Sequence, residues 1–339
     1  MNSISNQFKN MCIKENDRSE GVVAIKLLTK LIEESKVSTV QELRDLLSNA
    51  IEEMLITDTS NSSVKSSSEL FLRFISLTIA DCTGDFEDLR KRLLTRAAIY
   101  LNKVDQCREQ IARHTLSILY DGIRVMVHAK SRVILAALEC AVIQAHRRNI
   151  HCYVTMASPG NEGQSMYQLL TKRGISCSLI PDTAIAYVMP ETDAVLLGAE
   201  AVVESGGILN RLGSSTLAMV AHSFGKPVYV LAESFKFVRS YPLDQRHIAD
   251  EFKWPPAKLK LLLSKQVNSE QSKPVVESSN NFAELDSVWE RLKKLRANKS
   301  LTEIPITDYT NPKYITQLIS DLGILTPSAV SDELIKLYL

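Results

Sequence analysis

Asp121-Gly-Ile-Arg-Val-Met-Val-His-Ala-Lys-Ser-Arg-Val-Ile-Leu-Ala-Ala-Leu138 is where the hydrophobic period of this chain changes. Arg124–His128 is a short apolar run behind an Asp-Gly turn, and from Arg132 onward apolar residues fall at helical spacing. A strand that passes into a helix through Ala129, Lys130 and Ser131 is the opening half of a β–α–β unit. The alternation continues toward the C-terminus. Strands are predicted at Arg124–His128, Cys152–Met156, Cys177–Ile180, Ala194–Leu197 and Pro227–Ala232, and helices at Arg132–Arg148, Gly163–Arg173, Thr183–Met189 and Ser215–Phe224. Runs that are apolar throughout suit strands covered on both faces, which is the condition of a parallel sheet.

Upstream of Asp121 the period is helical. Val22, Ile25, Leu28, Leu31 and Ile32 form one stripe, and Leu43, Leu46, Leu47, Ala50, Ile51, Met54 and Leu55 another. Thr57–Ser68 is a Ser-rich connection whose last serine is placed to cap a helix over Glu69–Leu77. The predicted class is therefore α/β, with an N-terminal helical domain at residues 1–115 followed by a Rossmann-like parallel-sheet domain at 116–339. A polar stretch at about 264–305, rich in Ser, Asn, Lys and Glu, interrupts the second domain. Within it Phe282, Leu285, Val288, Trp289 and Leu292 share one helical face. A partner-binding helix and a surface insertion that packs locally are the two readings of that segment. The apolar C-terminal run, Leu322–Leu339, is expected to dock into the fold or into a partner chain.

Composition excludes several classes. The chain has 339 residues, 40 Lys+Arg against 39 Asp+Glu and a formal net charge of +1, so it lacks the basic field of a general nucleic-acid binder. It has neither a bilayer-length apolar run nor the apolar start of a signal peptide, so a soluble intracellular (cytoplasmic) protein without membrane contact is expected. The six cysteines are scattered, with no Cys-x-x-Cys pair and no His cluster at zinc-ligand spacing, so no metal and no disulfide framework is expected.

In open α/β sheets the ligand lies beyond the carboxyl ends of the strands. After the first strand come His128, Ala129, Lys130, Ser131 and Arg132, where free amides of a helix N-terminus and two cations suit a phosphate. Ser131 acting only as an N-cap beside solvated cations is the competing reading. After the fourth strand, Glu200 and Glu204 flank a glycine-rich turn, and Asn210-Arg211 precede a helix start; Glu200 suits sugar hydroxyls. This is neither a Gly-x-Gly-x-x-Gly fingerprint nor a Walker loop, and no cofactor is expected. After the fifth strand, Glu233 and Lys236 join the same region or form an exposed ion pair. In the helical domain, the backbone amides of Ser66, Ser67 and Ser68 and the Arg73 guanidinium suit closure over an anion, with an Arg73–Glu69 pair as the alternative. Asp121 reads as a turn residue. His128 is the one imidazole at these strand ends and reads as structural, since neighbouring Ala129 transfers no proton.

Five runs carry a specific resemblance: Glu69–Ser76, Gly198–Glu204, Gly206–Gly213, Ala232–Arg239 and Asp321–Leu339. Together they resemble the alpha-subunit family of eukaryotic translation initiation factor 2B, from about Gly21 to Ser264 and again from Ile304 to Leu339. The resemblance implies a regulatory, non-catalytic subunit of the guanine nucleotide exchange factor for initiation factor 2. It implies a homodimer, assembly with beta, gamma, delta and epsilon subunits into a decamer, and sensing of factor 2 phosphorylated on its own alpha subunit. The wider superfamily includes isomerases of methylthioribose 1-phosphate and ribose 1,5-bisphosphate, with a cysteine after the first strand and an aspartate in a Gly-Ala-Asp run. Those positions correspond here to Ala129 and Glu200, and Ser158 before Pro159 stands where the isomerases carry an arginine. The resemblance thus implies no catalytic residue but a retained sugar-phosphate or nucleotide pocket at Ser67, Arg73, His128, Lys130, Ser131, Arg132, Glu200, Asn210, Arg211 and Lys236. An active aldose–ketose isomerase is the alternative. The Asp81–Phe86 loop is a suggested docking site for phosphorylated factor 2.

Overall fold

A computed structural model describes residues 3–15, 18–55, 57, 61–80, 86–158, 160–249, 252 and 305–338. Helices α1 (Ile4–Lys14), α2 (Glu20–Glu34), α3 (Val40–Leu55), α4 (Asn61–Ala80) and α5 (Phe86–Thr115) form the helical layer. Their apolar stripes meet in one core that includes Phe8, Ile25, Leu28, Leu47, Met54 and Phe71. α2 starts at Ser19, whose hydroxyl accepts from the Val22 amide at 3.4 Å. Gly21 is required there: a Cβ would stand 2.6 Å from the Ser63 carbonyl oxygen and 2.9 Å from its hydroxyl, so only glycine lets α2 approach α4 this closely.

Two expectations for this layer are corrected. The chain is helical from Ile4, ahead of the first stripe read from the sequence. Ser66, Ser67 and Ser68 lie inside α4 rather than at its cap. Serine's weak helix preference yields because Val64, Phe71 and Ile75 bury the same helix, and the serines are buried with them.

The sheet layer follows as β1 (Arg124–His128), α6 (Arg132–Glu139), β2 (His151–Thr155), α7 (Glu162–Lys172), β3 (Ser176–Ile180), the single turn α8 (Ile185–Val188), β4 (Ala194–Gly198), β5 (Ala201–Val203), β6 (Ile208–Arg211), α9 (Ser214–Ser223) and β7 (Val228–Leu231). β8 (Phe237–Val238), β9 (Thr307–Thr310), β10 (Gln317–Ser320), β11 (Gly323–Leu325) and α10 (Val330–Tyr338) complete the chain. The main sheet has the order β11-β10-β7-β4-β1-β2-β3 and is parallel except for β11. A second sheet, β8-β5-β6-β9, stands beside it. The predicted α/β class and the mostly parallel sheet are thus observed, with the five predicted strands displaced by one residue or less at most ends.

The predicted helix over Arg132–Arg148 ends early. It widens into a π turn at Cys140–Gln144, closed by the Ala145 amide on the Cys140 carbonyl at 2.9 Å, and His146 adopts a left-handed φ of 54°. The C-terminal run divides into β10, β11 and α10; Val330 and Leu334 of α10 enter the core beneath β7 and β10, while Ile324 and Ile335 stay on the surface. Asp121 does hold a turn, accepting from the Asn149 amide at 2.9 Å and its side-chain nitrogen at 2.7 Å. The Asp81–Phe86 loop, except Phe86, and the polar stretch before Pro305 lie outside the described residues.

α5 ties the layers together. At 30 residues and 1.5 Å rise it is about 45 Å long. Leu89, Leu93 and Ala97 sit in the helical core, whereas Ile111 and Ala112 pack with α6 and β1 in the core on one face of the sheet. β1 leads to β2 on one side and has β4 on the other, so the sheet reverses its winding between β1 and β4. That reversal opens a crevice at the carboxyl ends of the two strands.

Candidate functional site at the β1–β4 crevice

A cavity of about 240 Å³ occupies this crevice. Its floor comes from the strand ends: His128, Lys130, Ser131 and Arg132 after β1, and Gly198, Ala199 and Glu200 after β4. Asn210 and Arg211 at the end of β6, and Glu233 and Lys236 after β7, form one wall. Ser19, Glu20, Ser63 and Arg108 reach in from the helical layer, and Glu162 from the first turn of α7.

Eight of the ten predicted site residues therefore converge: His128, Lys130, Ser131, Arg132, Glu200, Asn210, Arg211 and Lys236. Ser67 and Arg73 do not. Ser67 is fully buried against the backbone of α2 at Gly21, and its amide is inside a helix. Arg73, two turns further along α4, lines a separate cavity. The Ser-rich run was read as a cap with free amides, but the amides of Ser66, Ser67 and Ser68 lie inside the continuous helix α4, which uses them internally.

The strand–helix junction after β1 is built tightly. Ala129 takes a left-handed φ of 59°, an uncommon conformation for a residue with a Cβ. Ser131 then caps α6, its hydroxyl accepting from the Ile134 amide at 3.4 Å. This is the N-cap reading, and it leaves the Arg132 and Val133 amides outside the helical ladder at the cavity. Gly198 allows β4 to end against this cap, since a Cβ there would lie 2.7 Å from the Ser131 hydroxyl.

His128 is structural. Its Nε2 donates to the Leu212 carbonyl at 2.9 Å, so its Nδ1 accepts from the Thr155 hydroxyl at 2.7 Å. Burial lowers its pKa and keeps the ring neutral.

Around the rim, charges alternate. The Arg211 Nε lies 3.1 Å from both Glu162 and Glu200. Arg132 meets Glu20 of α2 at 3.2 Å, a pair that joins the two layers. Lys236 contacts Glu233 at 2.8 Å and donates to the Ala199 carbonyl at 2.9 Å, while Arg108 of α5 reaches Glu233 at 3.4 Å. Of the two readings of Glu233 and Lys236, the structure has the one that joins them to the crevice, as an interior pair with Glu233 only 1% exposed. Burial raises the Glu233 carboxyl, but Lys236 and Arg108 outweigh that and hold it below the usual carboxylate range. Burial raises the Glu162 carboxyl. Lys130 is exposed, and no carboxylate among the described residues lies within ion-pair distance of it.

With Arg108, Lys130, Arg132, Arg211 and Lys236 facing Glu20, Glu162, Glu200 and Glu233, the lining suits a polyhydroxylated anion: amides and cations for a phosphate, carboxylates for hydroxyls. The two positions where the resembled isomerases carry a cysteine and an aspartate hold Ala129 and Glu200 instead. Ala129 has no ionisable group, Glu200 is held by Arg211, and both nitrogens of His128 are committed. Glu162 follows from the same strand-end rule that located the other floor residues, since it opens the helix after β2. Ser19, Glu20, Ser63 and Arg108 had no sequence signal, because only the packing of the helical layer brings them here.

Comparison with known proteins gives this crevice its context. The profile of the initiation factor 2 subunit family matches residues 15–327. A protein of Dictyostelium discoideum named translation initiation factor eIF2B subunit alpha is 34% identical, over 98% of this chain and 95% of its own length. The protein of that name in Caenorhabditis elegans is 29% identical over 99% of both chains. A ribose 1,5-bisphosphate isomerase of Methanocaldococcus jannaschii is 24% identical over 71% of this chain and 67% of that one. In fold, the crystal structure of a Pyrococcus horikoshii translation initiation factor eIF-2B superposes with a TM-score of 0.66 at 18% identity, covering 96% of this chain and 98% of that one. A family profile that matches residues 15–327, together with a relative 34% identical over nearly the whole of both chains, places the chain in the initiation factor 2 subunit family.

Proposed function

We propose that this chain is the regulatory alpha-type subunit of the guanine nucleotide exchange factor for initiation factor 2. In this reading it forms a homodimer, joins beta, gamma, delta and epsilon subunits into a decamer in the cytosol, and converts phosphorylated factor 2 from substrate into inhibitor. Residues 1–115 act as the helical domain and 116–339 as the α/β domain. The crevice holds a sugar phosphate or nucleotide through Lys130, Ser131, Arg132, Glu200, Asn210, Arg211 and Lys236, and it carries out no reaction.

The observation that carries the reading is end-to-end similarity to two proteins named as alpha subunits, with Ala129 at the head of α6. Its test is nucleotide release from factor 2 by the exchange complex, assembled with and without this chain. With the chain present, phosphorylated factor 2 suppresses release from the unphosphorylated form; without it, suppression is weaker. Equal suppression in both cases contradicts the proposal.

An aldose–ketose isomerase is a second reading, favoured by the retained crevice and by the similarity to a ribose 1,5-bisphosphate isomerase. Turnover of a phosphorylated pentose that disappears in Glu200→Gln supports it, and absence of turnover in the purified chain removes it.

A further inference from the structure

Two helices from different layers begin at the β1–β4 crevice. α6 belongs to the sheet layer and is capped by Ser131, and α2 belongs to the helical layer and is capped by Ser19. In α2 the Ser19 carbonyl oxygen accepts from the Val22 and Val23 amides at 3.0 and 3.1 Å, which leaves the Glu20 and Gly21 amides outside the helical ladder. A helix end of this kind attracts an anion. The chain supplies one of its own. Glu20, the first residue of α2, lines the crevice with its side chain 30% exposed and lies 3.2 Å from Arg132, the first residue of α6. Its field crosses the cavity: Glu200 is the main cause that raises the Arg211 pKa, burial opposes the rise, and Glu162 and Glu20 add to it. The other carboxylates of the lining are held elsewhere, Glu162 and Glu200 by Arg211, and Glu233 by Lys236 and Arg108. With five cations against four carboxylates, the lining keeps a surplus of one positive charge.

We propose that Glu20 is a specificity-determining residue that restricts the crevice to ligands with a single phosphate. The inference rests on the reading of the crevice as a sugar-phosphate site and narrows it. The one phosphate sits at the start of α6, on the Arg132 and Val133 amides and beside Lys130. In a cavity of about 240 Å³ a second phosphate on the same sugar cannot avoid the start of α2. There the Glu20 carboxylate already occupies the helix end and repels it. A Glu20 that served only to complement the α2 dipole and to join the layers would account for the pair with Arg132, but it would not discriminate between ligands.

The test is calorimetric titration of the full chain with ribose 5-phosphate and with ribose 1,5-bisphosphate, which differ by one phosphate, at one pH and one ionic strength. The wild type binds the bisphosphate no more tightly than the monophosphate. In Glu20→Gln the ratio of the two affinities moves toward the bisphosphate by about tenfold, the value of one charge-assisted contact. Glu20→Asp, which keeps a carboxylate at the helix start, keeps the wild-type ratio. So does Glu34→Gln, which removes one charge from the far end of α2. A wild type that binds the bisphosphate about tenfold more tightly, a ratio that Glu20→Gln leaves unchanged, or an equal shift in Glu34→Gln overturns the inference while the sugar-phosphate reading stands. If neither ligand binds the wild type, both fall. Should Glu20→Gln not fold, the wild-type comparison and Glu20→Asp still decide, since a tenfold shift in Glu20→Asp or a wild-type preference for the bisphosphate overturns the inference.

Discussion

Asp308 offers a prediction that can be worked to a magnitude. It lies on β9 opposite Asn210 and is 5% exposed. Its Oδ2 accepts from the Gly213 amide at 2.8 Å and the Ser215 amide at 3.0 Å, at the start of α9. Its Oδ1 is buried without a hydrogen-bond partner among the described residues. Burial pushes the carboxyl up to about 7, against the pull of the two amides. In an unfolded chain the same group titrates near 3.9. Between those values the folded chain holds a proton that the unfolded chain has lost, so this group's contribution to stability falls as pH rises from about 4 to about 7 and is flat above. At 1.36 kcal/mol per unit the separation amounts to about 4 kcal/mol, of which about 3 falls between pH 5 and 8.

His128 acts in the opposite sense. Its folded pKa is lowered, so its contribution is complete above about 6.5 and lost as pH falls below that. The wild-type pH curve therefore mixes the two, and the difference between wild type and Asp308→Asn isolates Asp308. The asparagine keeps a carbonyl oxygen for both amides and does not titrate. Urea unfolding at pH 5 and pH 8, at one protein concentration, should show the variant gaining about 3 kcal/mol on the wild type between the two pH values. A gap that stays constant refutes the reasoning that this carboxyl is protonated by burial.

Other perturbations reach the crevice itself. Lys236→Met leaves Glu233, 1% exposed, with Arg108 at 3.4 Å as its remaining counter-charge; the cost is about 3–5 kcal/mol in urea unfolding. Adding Glu233→Gln to it should recover part of that loss. Because the Glu233 carboxyl is held low, its favourable contribution is present above about pH 4.3 and lost as pH falls through the folded value. Gly213→Ala meets both a φ of +107° and the His128 ring, 2.7 Å from the new Cβ; a loss of roughly 2–3 kcal/mol is expected in thermal unfolding. A sugar phosphate present at a hundred times its dissociation constant should stabilise the chain by about 2.7 kcal/mol. Lys130→Ala should weaken that ligand by about tenfold in calorimetry, the loss of one charge-assisted contact.

Much of this architecture was legible because the signals were local. The strands β1, β4 and β7 are short apolar runs, and burial on both faces demands that composition. β8 to β11 have two to four residues each. Thr307-Asp-Tyr-Thr310 owes its strand character to pairing with β6 across the second sheet, which no local pattern announces. Ser66 to Ser68 misled for the same reason: their propensity points to a cap, but the packing of α4 decides. In the crevice, the strand-end rule found the floor and one wall. The roof escaped, since Glu20 and Arg108 lie on helices whose apolar stripes give no sign of where their polar faces point. Glu233 was located in this region with its burial left open, because sequence shows the lysine three residues on and not the arginine that α5 brings across from the helical layer.

The central claim is that this chain works as a regulatory subunit within a larger exchange factor. The most direct measurement is native mass spectrometry of the protein tagged at its own chromosomal locus and purified gently. The account predicts an assembly with four other subunit types, each at about two copies, that contains two copies of this chain. A bare homodimer or monomer, recovered while the other four subunits purify together without it, contradicts the account.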